Sequence, residues 1–174
     1  MIILYIVLGI VALILVIAAI IGTKWDIERS VSIQAPVDRV WGMVNSLHQL
    51  NSWNPWMAKD PNIHLEYSGM DGKTGASFAW KSLVKNVGEG SQTIIAVDEG
   101  KALTSRVDFI KPFAGTGTAY LRIAAEGAGT RATWRMESST PYPMNIIKIF
   151  GVIEKNMDID FKAGLGSLKR LCEK

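Results

Sequence analysis

The stretch Asn145–Leu171, "NIIKIFGVIEKNMDIDFKAGLGSLKRL", decides how this chain folds. Ile146, Phe150, Ile153, Met157, Phe161, Leu165 and Leu168 recur along it at helical spacing and form one apolar stripe. Asn145 is the expected N-cap of a single long helix reaching about Leu171. Gly151, Gly164 and Gly166 interrupt it, each costing roughly 1 kcal/mol of helix propensity relative to alanine. Such glycines mark a bend or a place where the helix lies close to a neighbour. A stripe this long has to be buried against something, and the rest of the chain says what.

Upstream, the texture is that of strands. Strands are expected over Ser91–Val97, Leu103–Phe109, Thr116–Ala125 and Thr130–Met136, joined by "DEGK", "KPFAG" and "EGAG", connections short enough for an antiparallel meander. Before them, Ile63, Leu65 and Tyr67 alternate with polar residues, as do Ala76, Phe78 and Trp80, and "GMDGKTG" between the two runs makes a hairpin. From Trp25 to Ile33 a further strand alternates, with Arg29 the one charged residue on its apolar face. An arginine there is expected to reach water with its head while its stem packs. Two short helices follow that strand. Pro36 opens the first, with Val37, Val40, Trp41 and Val44 on one face; Ser46 and Gln49 form a capping box for the second, which runs to Trp53 and stops at Pro55 and Pro61. The order predicts an α+β fold: a curved, seven-stranded antiparallel sheet wrapped around a long C-terminal helix.

Residues 2–22 stand apart. They carry no charged side chain and span roughly 30 Å as a helix, the thickness of a bilayer's hydrocarbon core. A cleaved signal peptide requires a basic leader and a small-residue cleavage site, and "VIAAIIGTKW" is a poor one. The expectation is therefore a single-pass membrane anchor, 2–22, followed by one soluble domain, 25–172. Lys24, Arg29 and Arg39 follow the apolar run, which favours the cytoplasmic side for that domain. The lone Cys172 excludes an intramolecular disulfide.

All 19 basic and 16 acidic residues lie beyond the apolar run, and a net charge of +3 with no basic cluster argues against a nucleic-acid partner. His48 and His64 are the only histidines, and neither has a partner at metal-ligand spacing, so no metal is expected. No cofactor fingerprint occurs either. Gly115 and Gly117 in "GTGTAY" give half a dinucleotide motif, but inside a strand pattern. Asp108 and Glu137 fall on polar strand faces, where solvated carboxylates are the rule.

The segments "ERSVSIQAPVDRVWGMV" (28–44), "WNPWMAKDPN" (53–62), "YSG" (67–69), "GASFAW" (75–80), "DFIKPF" (108–113) and "TPYPM" (140–144) resemble the START-like (SRPBCC) superfamily, in particular its polyketide cyclase and dehydrase-like members with an N-terminal membrane helix. The resemblance implies the helix-grip fold of the birch-pollen-allergen type, with an apolar cavity that in many relatives takes lipids, sterols, quinones or polyketides. It carries no common catalytic motif to transfer.

What the chain offers such a cavity is aromatic and apolar. The candidate ligand-binding residues are Trp53, Trp56, Trp80, Phe109, Trp134 and Met136 from the shell, with Phe150 and Met157 from the helix. The same set would also serve to fill a core. The leading functional expectation is a membrane-anchored module binding a hydrophobic small molecule, whether lipid, isoprenoid, quinone or polyketide-like. A cyclase or dehydratase, with Arg29 as the one inward charge to polarise a carbonyl, and a protein-interaction domain are the alternatives.

Overall fold

The structure, a computed structural model, describes residues 1–174. An N-terminal helix α1 (Ile2–Ile20) is followed by β1 (Lys24–Ile33), three short helices α2 (Val37–Gly42), α3 (Leu47–Trp53) and α4 (Pro55–Lys59), and six strands. These are β2 (His64–Ser68), β3 (Ser77–Lys81), β4 (Glu89–Asp98), β5 (Ala102–Lys111), β6 (Gly115–Glu126) and β7 (Gly129–Ser139). A 3-10 segment (Met144–Phe150) leads into the C-terminal helix α5 (Val152–Cys172). The seven strands form one antiparallel sheet in the order β1-β7-β6-β5-β4-β3-β2. β1 thus closes against β7, and every other pair is a neighbour in sequence, the arrangement expected of a meander with its first strand added at the far edge.

Two sequence expectations change. The helix does not begin at Asn145. Gly151, at φ +58, ends the 3-10 segment and starts α5, a left-handed conformation that glycine adopts without a side-chain clash. Pro55, expected only to stop a helix, also starts one. Asn54 accepts the Trp56 N–H at 3.1 Å with its side chain, and Pro55 follows at the first helical position, where its missing N–H does no harm. The corner therefore holds three short helices.

The start of α3 is doubly capped. Ser46 Oγ accepts the Gln49 N–H at 3.3 Å, the expected box contact. Asp71, from the β2–β3 turn, accepts the N–H groups of Leu47 at 2.7 Å and His48 at 3.2 Å, and its carboxylate suits the positive end of a helix. Burial pushes the Asp71 carboxyl up, but its bonds from His48 and these N–H groups outweigh that and hold it below the ordinary carboxylate range.

The packed core lies at one end of the grip. Val40, Val44, Leu47, Leu50 and Ile33 are almost wholly buried with Phe161, Leu165 and Leu168 of α5. Every buried residue of α5 falls between Asp160 and Cys172. The first two turns, Val152–Ile159, bury none. The stripe expected to pack along its whole length is therefore fully buried only in its second half.

Gly164 shows how close that meeting is. A Cβ there would lie 2.8 Å from Trp134 Cζ3 and 3.0 Å from Pro55 Cδ, so this glycine is a point of contact. Gly166 has nothing nearer than an arginine nitrogen at 3.7 Å, and no packing reason for it is visible.

α1 is long and apolar enough to cross a membrane, and all of it but Ala18 is exposed or nearly so. Its C-terminal end is tied to the domain. Asn145 donates through Nδ2 to the carbonyl oxygens of Ala18 and Ile21, and Lys148 donates to those of Gly22, at 2.9 Å, and Lys24. The carbonyls at the end of a helix lack intrahelical partners, and Asn145 supplies one to Ala18 and Ile21.

Candidate functional site: an apolar cavity under the free half of the C-terminal helix

Where α5 stands off from the sheet, a cavity of about 580 Å³ opens between them. Interiors are packed nearly as densely as organic crystals, so a void of this size is not a packing fault. It falls within the range of small-molecule pockets.

The walls follow from strand alternation. Phe78 and Trp80 of β3, Leu103, Val107 and Phe109 of β5, Ala119 and Leu121 of β6, and Trp134 and Met136 of β7 all point to the concave face. Ile153, Met157 and Ile159 of α5 form the roof, and Trp56 and Met57 of α4 close one side. The exposed rim is made of Lys85 and Asn86, the β5–β6 connection with Lys111, Pro112 and Phe113, and Asn156.

Trp134 forms the inner end of this space. Its ring stacks on Phe161, with centroids 4.3 Å apart and planes 3° from parallel, and meets Trp53 and Trp56 edge-on at 5.3 and 5.8 Å. That block of four aromatic rings is where the filled core ends and the cavity begins.

Of the eight residues singled out from the sequence, Trp56, Trp80, Phe109, Trp134, Met136 and Met157 line the cavity. Trp53 and Phe150 do not. Trp53 is 2 % exposed behind Trp134 and donates its Nε1–H to the Met43 carbonyl at 2.7 Å, which makes it part of the helical corner. Phe150 is 73 % exposed, because the turn at Gly151 swings it off the α5 stripe. Arg29 lines no part of the cavity. It donates to Asp158 across the outer edge where α5 crosses β1, so the carbonyl-polarising role has lost its residue.

Two glycines give the walls their shape. A Cβ on Gly90 would lie 2.4 Å from Trp80 Cζ2, and one on Gly117 would lie 2.8 Å from Met136 Cε. Each strand glycine makes room for a large side chain of the neighbouring strand to lie across it, which accounts for Gly117 of the "GTGTAY" pair.

Sequence reasoning missed the polar part of the lining. Gln92, Ser105, Asn54, Lys59 and Asp160 all reach the cavity. Lys59 Nζ bonds both Asp160 oxygens at 2.6 Å, so that pair satisfies itself, and Asn54 is engaged with Asn51 and the Trp56 N–H. Gln92 and Ser105 were legible as polar residues at apolar-face positions of their strands, flanked by Ile94 and by Leu103 and Val107. The remaining candidates stay outside. His48 is bonded to Asp71 at 2.6 Å and stacks on Tyr67, His64 meets Glu66, and Asp108 and Glu137 meet Arg106 and Arg135 on the outer face. Cys172 is buried, and burial pushes its thiol up, away from the reactive thiolate.

A grip of seven strands over one helix, with an apolar hollow between, is matched at the level of sequence. The family model described as "Polyketide cyclase / dehydrase and lipid transport" covers residues 24–173. The chain belongs to this family. No functionally curated protein matches it by sequence. Solved structures share the fold at low identity. Truncated norcoclaurine synthase from Thalictrum flavum is 15 % identical over 87 % of this chain and 95 % of its own, with a TM-score of 0.66. Protein CV1439 from Chromobacterium violaceum is 14 % identical over 86 % and 97 %, at 0.62. The di-domain aromatase/cyclase StfQ of the steffimycin pathway is 10 % identical over 87 % of this chain and 51 % of its own, at 0.65. Family and fold together mark this polyketide-cyclase-family chain as a hydrophobic-ligand-binding or cyclase-like module.

Proposed function

We propose that the protein is a membrane-anchored binding module, with residues 2–22 as the anchor and 25–172 as the domain, that takes up a hydrophobic small molecule from the bilayer. The candidate ligands are a lipid, an isoprenoid or quinone, or a polyketide-like compound. The observation that carries this reading is the cavity itself, about 580 Å³, walled by aromatic and aliphatic side chains of the sheet and roofed by the unburied half of α5. Its walls are mostly apolar and its charged groups sit at the rim or pair with each other, an arrangement suited to holding a molecule.

The route from the membrane is supported by position. A second hollow of about 360 Å³ adjoins the first, sharing Phe109, Pro112, Phe113 and Ile153, and extends past Trp25 to Met144 and Ile147 of the 3-10 segment that is tied to the end of α1. Phe113, Met144, Ile149, Phe150 and Val152 are exposed around it, with Lys111 and Lys148 nearby. Apolar side chains rimmed by lysines suit a headgroup boundary. Tethering also raises the local concentration of a membrane-soluble ligand. Lys24, Arg29 and Arg39 after the span favour the cytoplasmic side.

Native mass spectrometry of the detergent-extracted full-length chain tests the proposal. A co-purifying hydrophobic mass, released by organic extraction, is the expected result. Protein of unliganded mass alone, with no tryptophan fluorescence response to a panel of lipids and quinones, would overturn it.

A further inference from the structure

Of the polar side chains that reach the cavity, Lys59, Asp160 and Asn54 are engaged within the protein, and two are not. Ser105 is 0 % exposed, lines the cavity, and its hydroxyl has no hydrogen-bond partner. Gln92, 9 % exposed, lines the same wall, and no protein group bonds its carboxamide. The two lie on adjacent strands and the same face: Gln92 is directly opposite Val107, and Ser105 is opposite Ile94 two residues along. Diagonal neighbours of this kind stand about 7–8 Å apart, near enough for both to address one atom of a guest. Ser105 is in turn opposite Ala119 of β6, so the floor beside its hydroxyl is small and leaves room.

Buried polar groups in folded proteins are almost always paired, and an unpaired one needs a reason. The Ser105 hydroxyl is such a group, and the Gln92 carboxamide faces the same hollow without a protein partner. The carboxamide carries both donors and an acceptor, and the hydroxyl carries one donor, so together they suit a neutral oxygen function. Neither is charged, and both lie far down the sheet face from the rim lysines, which disfavours a carboxylate or phosphate at this depth.

Resting on the reading of the cavity as a ligand site, we propose that Gln92 and Ser105 form its polar floor and that the ligand is an apolar molecule carrying a hydroxyl or carbonyl oxygen at its buried end. The hydrocarbon body lies against Trp56, Trp80, Phe109 and Met157, and the oxygen reaches the floor. The pair decides which apolar molecules bind, since a plain hydrocarbon of the same shape leaves both groups unsatisfied.

The test uses the full-length protein in detergent and two matched probe pairs, farnesol with farnesene and dodecanol with dodecane, titrated by tryptophan fluorescence. The quantity read is the ratio of alcohol to hydrocarbon affinity in the wild type divided by that ratio in Gln92→Met/Ser105→Ala, which cancels the partition of each probe into micelles. A ratio of about tenfold is expected, with hydrocarbon binding retained or improved in the variant. A ratio of one, with both probes bound by both proteins, leaves the ligand site standing and overturns the polar floor, whose groups then serve a resident water only. Binding of no probe by the wild type overturns the ligand reading itself. If the double variant fails to fold, Ser105→Ala and Gln92→Met are read separately, and each must give a quotient above one for the proposal to hold.

Discussion

The side chain of Asn145 donates to the carbonyl oxygen of Ala18 at 2.6 Å, and the same Nδ2 reaches Ile21 at 2.7 Å. One fully buried amide thus ties the end of the apolar helix to the segment that leads into α5, across more than a hundred residues of chain. Replacing Asn145 with alanine leaves both carbonyls without this donor. A loss of roughly 1–3 kcal/mol is expected in thermal or denaturant unfolding of the full chain, with faster amide exchange at Ile21–Lys24. Unchanged exchange there would show that the anchor and the domain are joined by other contacts.

Gly164 and Gly166 sit two residues apart in one helix and should respond oppositely to alanine. At Gly164 the new methyl meets Trp134, stacked on Phe161, and the buried ring of Pro55, neither able to give way. Overpacking costs about 1–3 kcal/mol and exceeds the helix-propensity gain of roughly 1 kcal/mol, so Gly164→Ala should destabilise. Gly166→Ala meets only the flexible end of Arg170 and should stabilise by up to that propensity gain. Denaturant midpoints of the two variants decide the matter.

Asp71 makes a defined acid dependence. Its carboxyl is held below the ordinary range in the folded protein, so the ionised form stabilises the fold fully above the unfolded value of about 4. That contribution disappears as the pH falls through the lowered folded value. Asp71→Asn should therefore lower stability by about 1 kcal/mol near neutrality and flatten the pH dependence below about pH 4. Equal slopes for wild type and variant in unfolding curves between pH 5 and pH 2 would exclude this role.

Enlarging Ala119 tests whether the hollow holds the ligand. Ala119 lines the cavity beside Ser105 and Met136, and leucine there projects into empty space. Ala119→Leu should leave the melting temperature unchanged or raised, and reduce ligand binding by about tenfold. Preserved binding would place the ligand elsewhere.

Arg29 supplies the opposite control. It pairs with Asp158 at a partly exposed edge and lines no cavity wall. Arg29→Met should leave ligand affinity unchanged, as measured by the same fluorescence titration. A large drop in affinity would restore a role for this charge at the site.

The elements were legible because their signals are local. Period-2 alternation sets which residues of β3, β5, β6 and β7 face inward, and helical spacing sets the stripe of α5, so Trp80, Phe109, Trp134, Met136 and Met157 were legible from the sequence, while Trp56 comes from the helical corner. Trp53 and Phe150 carried the same signals and ended up elsewhere. Trp53 was taken by the Met43 carbonyl behind Trp134, and Phe150 was turned out by the left-handed Gly151. Gln92 and Ser105 were passed over because a polar residue in an apolar alternation reads as noise until the space in front of it is known.

Alternation, helical spacing, the family motifs and the uncharged run at 2–22 are properties of neighbouring residues, and they determined the strands, the helix-grip order and the apolar character of the inner face. Whether that face was to be filled or hollow depended on where α5 leaves the sheet. The contact of Gly164 with Pro55 and Trp134, the Trp134–Phe161 stack and the turn at Gly151 set that point. Each joins residues distant in sequence or depends on the angle between elements, so the cavity exists only once the whole chain has closed.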